Sequence, residues 1–312
     1  MDEQAHRSDW SHYHIERCGP GRKSILQMRG PWLFDGLEEF SEFGGMKQRV
    51  QIGDFAELGK GLVIGGMSQL SEDVDPVYTS ALVFPAATAV QSRKRWLIAG
   101  GGDGPVAREA LRFTDTTEVV LADPSLMVIA ETQRFIPSFW GGCQSDPRLT
   151  VITRDAFSVM REMVASGRKF DVVVADLTDP KDEAYTPFSE STADYLYTLD
   201  GIQLFRDCLA DGGVFVAQAQ ELSLIRWQGH ARLRKLLENT FANVWSYRIF
   251  IEFFGYWESF LIASNEGWAW APVEPKVWPL EEIYRGQLGA HYSRLVQKSL
   301  FALPPLLDER IR

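Results

Sequence analysis

The sequence predicts an α/β protein: a doubly wound parallel sheet preceded by a small antiparallel β domain. Three observations carry this expectation. After Arg95, apolar strands alternate with helical stretches. Those strands are almost continuously apolar, as a parallel sheet covered on both faces requires. Before Arg95 the runs are short, alternate polar with apolar and are broken by glycine, the pattern of antiparallel pairing.

Residues 1–45 show no clear period and read as an N-terminal extension. The "HYH" run at His12 to His14 has no further ligand at helical or hairpin spacing, so a surface segment is expected there, not a metal site. Residues 46–90 read as the small β domain, with "QRVQIGDF" and "GLVIGGMSQLSE" on either side of a glycine turn, "LGKG". Residues 91–312 read as the α/β domain. Its strands are "RWLIAG", "EVVLAD", "RLTVIT", "FDVVVAD" and "GGVFVAQ"; its helices include "PVAREALRF", "SLMVIAETQRFI" and "AFSVMREMVASG". "VWSYRIFIEFF" and "SFLIAS" then form a closing antiparallel hairpin, and the amphipathic tail that follows is too apolar to be disordered.

A chain of 312 residues, 45% hydrophobic and 24% charged, suits a soluble globular protein with one large core. Its formal net charge of −10 disfavours nucleic acid, which needs basic patches, and favours cationic ligands. No apolar run reaches membrane-span length and no secretory leader pattern opens the chain, so no membrane partner is expected. Cys18, Cys143 and Cys208 are odd in number and lack metal-ligand spacing, which points to a reduced, cytoplasmic protein.

In open α/β sheets ligands bind beyond the carboxyl ends of the strands. Five successive strand ends here carry acids or amides: Asp103 in "GGGDG", Asp123, Asp155 in "TRDAF", Asp176 and Asp179 in "DLTDP", and Gln218 with Glu221 in "QAQE". Any one of them suits a cap or turn, Asp155 before a helix and Asp179 before Pro180 among them. Five together indicate a ligand site.

The glycine loop is not the dinucleotide fingerprint, because Pro105 follows Gly104. Asp123, about 20 residues on, suits a ribose. A nucleoside without pyrophosphate, of the S-adenosylmethionine type, fits better than a dinucleotide. Asp103 attracts the amino group of such a ligand and repels its carboxylate, which favours a decarboxylated form.

Taken together, "GGGDG…RE", "VVLAD", "RDAF", "DLTDP" and "GGVFVAQ" resemble the polyamine aminopropyltransferases, the spermidine and spermine synthase family. The resemblance runs from about Gly45 to Leu307, taking in "KQRVQI", "LGKGLVIGGMSQLSEDVDPVY" and "HYSRLVQKSLFALP". It implies a Rossmann-like sheet of the methyltransferase type, decarboxylated S-adenosylmethionine as co-substrate, a polyamine as partner, a homodimer or higher homo-oligomer, and no required cofactor or metal. By the same resemblance Gln48, Gly101, Asp103, Asp123, Asp155 and Ala156 would hold the donor: Asp103 its amine, Asp123 its ribose, Asp155 its adenine. Asp176 would accept the proton of the attacking amine, with Tyr78 orienting that amine and Asp103 completing the catalytic set. Gln69, Asp179, Gln218 and Glu258 would line the acceptor side.

Some positions depart from spermidine synthases. Thr79 follows the tyrosine where glutamine or histidine is usual, Leu177 stands second in "DLTDP", and "IFIEFFGYWESFLIAS" replaces the tyrosine–proline acceptor signature. "DLT", the "SEST" run near Ser189 and "YWES" are more similar to spermine synthases, so spermidine is the expected acceptor. A second acid, Glu258 or Glu252, would anchor the far ammonium of a longer polyamine. Glu258 on the exposed face of an edge strand is the plain alternative, and Tyr256, Trp257, Phe253 and Phe254 fit either a methylene tunnel or core. Three other functions remain open from the sequence: a spermidine synthase acting on putrescine, a methyltransferase using intact S-adenosylmethionine, and a non-catalytic polyamine-binding protein.

Overall fold

The computed structural model describes residues 13–17, 23–43, 45–179, 192–265, 284–285 and 291–312. Strands β1 (Tyr13–Arg17) and β2 (Lys23–Gln27) form an antiparallel pair, and β3 (Phe34–Phe40), β4 (Met46–Phe55), β5 (Gly59–Ile64) and β6 (Met67–Ser71) form an antiparallel sheet in that order. Both sheets thus draw on the segment expected to be an aperiodic extension. The reason lies in β3, which does alternate inward and outward but places Gly36 and Glu38 inward and Leu37 outward at 60% exposure. Its period is structural and not hydrophobic. His14 is likewise not on the surface: it is 7% exposed and meets Trp32 and Phe55 edge-on.

Residues 75–89, expected within the β domain, are a helix, α1 (Asp75–Ala89), with 13 of its 15 residues buried. A helix apolar on every side has no 3.6-residue stripe, so its sequence cannot be told from a buried strand by period. It packs against the strands of the large sheet and belongs to that layer. Pro85 inside it cannot donate to the carbonyl of Ala81. Tyr247 does so instead, its hydroxyl 2.9 Å from that oxygen.

The remaining elements alternate as expected: β7 (Arg95–Gly100), α2 (Pro105–Arg112), β8 (Glu118–Ala122), α3 (Leu126–Phe135), α4 (Pro137–Trp140), β9 (Leu149–Ile152), α5 (Ala156–Ala165), β10 (Phe170–Asp176), α6 (Leu199–Cys208), β11 (Leu209–Glu221), α7 (Gln228–Glu238), β12 (Asn243–Ile251), β13 (Tyr256–Ser264), α8 (Arg294–Leu300) and α9 (Pro305–Ile311). The large sheet runs β12-β13-β11-β10-β7-β8-β9, with β7 to β11 mutually parallel and β13 antiparallel to both neighbours. Alternate residues of β7 enter opposite cores, Trp96 and Ile98 on the α1 side, Leu97 and Ala99 against α5 and α6. The strand order reverses between β7 and β10, which opens a crevice at their carboxyl ends. Among the described residues no helix is long and apolar enough to cross a membrane.

Candidate active site

At that switch point lies a cavity of about 430 Å³, roofed by β4 to β6 of the small sheet and floored by the ends of β7 and β10. It is large enough for a nucleoside and a short chain. The glycine loop makes its floor possible. Gly101 has φ of 65° and donates its N–H to the Asp176 carbonyl at 2.9 Å, tying the two strand ends together. Gly102 donates to Asp123 Oδ2 at 3.0 Å, and a Cβ there would lie 2.6 Å from the Asp123 carboxyl carbon. Only glycine lets that carboxylate come so close.

Asp103, at the crest, lines the cavity, and its Oδ1 is buried with no hydrogen-bond partner among the described residues. Burial, then the charges of Asp176, Asp75 and Asp123, hold its carboxyl well above the usual range. A buried acceptor without a donor is costly unless something supplies one, and an ammonium would. Asp123 is pushed up by burial although the amides of Ser125 and Gly102 oppose this.

Asp176 ends β10 and faces the same space. Tyr78, on the first turns of α1, donates its hydroxyl to Asp176 Oδ1 at 2.7 Å. Burial raises the Asp176 carboxyl to about 6; the tyrosine hydrogen bond lowers it and Asp123 raises it further. A carboxylate poised there is ionised at neutral pH yet basic enough to take a proton. Thr79 turns away from the cavity. Its hydroxyl donates to Asp75 at 2.7 Å, and Asp75 is paired with the buried Arg108 of α2 at 2.7 and 3.0 Å.

Beyond Asp176 the cavity is bounded by Asp179, Gln218 and Glu258. The Gln218 amide donates to Asp179 Oδ1 at 2.8 Å and to Glu258 Oε1 at 3.1 Å, so one side chain bridges two acids. Burial raises both carboxyls, and Asp179 adds to the shift of Glu258. Glu258 is 1% exposed and sits on β13, an interior strand, which removes the exposed-edge alternative. Gln69 lines the opposite wall. Of the four nearby aromatics, Phe254 and Tyr256 line the cavity, Phe253 is core, and Trp257 is exposed beneath the Arg248 guanidinium. Glu252 is exposed and does not line the cavity, whereas Glu258 does.

The cavity therefore brings together Gln48, Gln69, Tyr78, Gly101, Asp103, Asp123, Asp176, Asp179, Gln218 and Glu258. Asp155 and Ala156 do not line it. Asp155 caps α5, accepting from the amides of Phe157 and Ser158 at 3.3 and 3.0 Å. The "SEST" run lies outside the described residues. Sequence reading passed over Ser125, which caps α3 and donates to Glu38 of β3 beside the Asp123 turn. The three-residue spacing from Ser125 to Val128 was a readable cap signal, whereas its link to Glu38 was not. Among the described residues there is no grouping of acids, histidines or cysteines suited to a metal ion.

The spermine/spermidine synthase domain model matches residues 75–269. The chain is 31% identical over 257 residues to a polyamine aminopropyltransferase 1 of Hyperthermus butylicus, covering 80% of this chain and 83% of that one. It is 30% identical over 257 residues to a polyamine aminopropyltransferase of Aeropyrum pernix, covering 82% and 76%. Its fold superimposes on spermidine synthase from Thermotoga maritima with a TM-score of 0.80 and 21% identity over 96% of this chain and 94% of that one.

Proposed function

This chain belongs to the spermine/spermidine synthase family and is a polyamine aminopropyltransferase, and on that premise we propose that spermidine is its preferred acceptor. The reaction moves the aminopropyl group of decarboxylated S-adenosylmethionine to an amine of a polyamine. Family membership supersedes the methyltransferase and non-catalytic readings. The single observation that carries the acceptor choice is the buried pair of acids bridged by Gln218, Asp179 and Glu258, beyond the reacting centre. Spermidine carries one more ammonium than putrescine, and a pair of buried acids whose ionised forms a bound cation would favour is where it would be held.

In the proposed mechanism Asp103 holds the donor's ammonium, which supplies the hydrogen-bond donor that its buried oxygen lacks, and Asp123 with Gln48 holds the nucleoside. A carboxylate on the donor would meet Asp103 and Asp176 together, so the intact parent compound is disfavoured. Asp176 takes the proton from the attacking amine, with Tyr78 fixing the carboxylate by its hydrogen bond. The amine nitrogen then attacks the carbon bonded to the sulfonium. A C–N bond forms, the C–S bond breaks, and sulfur keeps the electron pair, leaving neutral methylthioadenosine. Because sulfur is already activated, alignment and one proton transfer are what the protein must supply. Asp155, engaged at its helix cap, retains the adenine-side role only as part of this proposal.

The test is methylthioadenosine release with decarboxylated S-adenosylmethionine and a panel of putrescine, spermidine, cadaverine and agmatine. Turnover with spermidine well above putrescine is expected. Equal or better turnover with putrescine overturns the acceptor choice and makes the chain a spermidine synthase. Light scattering in solution checks the accompanying expectation of a homo-oligomer.

A further inference from the structure

We infer that His230 is a positioning residue for the acceptor end of the site: through Ser259 it holds a β-bulge in β11 that sets Glu221, in place of Gln220, beside Glu258. This rests on the acceptor reading above.

The bulge is visible in the register. Ala217 stands opposite Leu261 and Gln218 opposite Phe260, but the next pair is Glu221 with Glu258. One extra residue has entered β11, so Ala219 and Gln220 together face Ser259. In unbroken register Gln220 would face Glu258, an amide where there is now a carboxylate. Gln220 has φ of 67°, a conformation that a residue with a Cβ adopts at a cost of about 1–3 kcal/mol. Bulges beside active sites commonly re-aim side chains, and something must hold this one.

Ser259 Oγ does so, lying 2.9 Å from the Ala219 carbonyl and 2.6 Å from that of Gln220. Behind it runs a chain of hydrogen bonds whose direction is set at the bulge itself. Ser259 Oγ faces two carbonyls, which only accept, so its proton goes to the nearer one, that of Gln220, and His230 Nδ1 must donate to Ser259 Oγ at 2.8 Å. In the neutral ring Nε2 then accepts, taking the Ser246 proton from 2.8 Å. Ser246 Oγ of β12 in turn accepts from Arg234 Nη1 of α7 at 2.7 Å. Burial, with the Arg234 charge second, pushes His230 down to about 3, so the imidazole stays neutral at working pH and the chain keeps its direction. The other side of the bulge is clamped as well. Gln220 packs against Gly229, where a Cβ would come within 1.6 Å of its Oε1.

The bulge is flanked by the groups that matter. Gln218, its last regular neighbour, bridges Asp179 and Glu258, and Ser259 directly follows Glu258. Glu221 is near enough to raise both carboxyls. Releasing the bulge would therefore let the bridge and the local charge drift while the donor side, on β7 and β8, stays in place.

Ser259→Ala, His230→Phe and Glu258→Gln, assayed in parallel for acceptor KM, kcat, donor Kd and Tm, test this. Ser259→Ala removes both the hydrogen bond accepted from His230 and the one donated to the Gln220 carbonyl, and is expected to raise the acceptor KM about tenfold with donor Kd unchanged. Combining it with His230→Phe should add little, because both cut one chain. If Ser259→Ala and His230→Phe lower Tm but leave acceptor KM alone while Glu258→Gln raises it, the chain is core structure only and the inference is overturned. If Glu258→Gln also leaves acceptor KM unmoved, the acceptor reading itself fails and takes this inference with it. Should His230→Phe not fold, Ser259→Ala, which removes a single oxygen, decides alone.

Discussion

The Asp103 carboxylate is buried close to Asp75, Asp123 and Asp176, so ionising it in the folded chain is uphill. A raised folded pKa means that the folded state keeps this proton to higher pH than the unfolded chain. The stability tied to it is present at low pH and lost as pH rises through the raised value. Asp103→Asn should therefore raise Tm, by more at pH 8 than at pH 5, while weakening donor binding about tenfold to a hundredfold. Thermal melts at the two pH values and calorimetric titration with the donor check both halves. Asp176→Asn should lower kcat by about 10²–10⁴ with donor Kd unchanged. In the unmodified enzyme kcat/KM should fall below about pH 6 as Asp176 is protonated, and that acid limb should vanish in the variant. Both residues were legible because each stands at a strand end in an acidic pattern. Asp155 was equally legible by that rule, yet its oxygens serve the α5 cap.

At the scale of elements, two of the cavity residues sit on joined pieces. Tyr78 rides on α1 and Asp103 precedes α2, and the buried Asp75–Arg108 pair links the two helices. Arg108 also donates to Glu109 at 2.8 Å and to the carbonyls of Ser138 and Phe139. Arg108→Met leaves Asp75 buried without its cation and should cost about 3–5 kcal/mol, read from urea unfolding. Adding Asp75→Asn removes the stranded charge and should recover much of the loss, a coupling that a double-mutant cycle measures. Sequence period located α2, α3 and α5 closely because each has one apolar face. It failed for α1, which is buried all round, and for β3, whose inward positions are Gly36 and Glu38. The bulge in β11 left no sequence mark at all, since "QAQE" reads equally well as an unbroken strand.

Across the whole molecule the net charge of −10 and the acids converging on one cavity should set up a field that draws polyamines in. Acceptor association should slow as ionic strength rises from about 0.01 M to 0.15 M, over which the screening length shrinks from roughly 30 Å to 8 Å. Stopped-flow binding measures it, and a salt-independent rate would count against steering. The sequence by itself determined the parallel sheet, its glycine loop and the acids at the strand ends, because hydrophobic period and strand-end position are local properties. Only the tertiary structure decided which acids share one cavity. Gln218 bridges Asp179 to Glu258 across 39 and 40 residues of chain, and Tyr78 reaches Asp176 across 98. Such contacts depend on how strands are ordered and registered, and no local pattern encodes that.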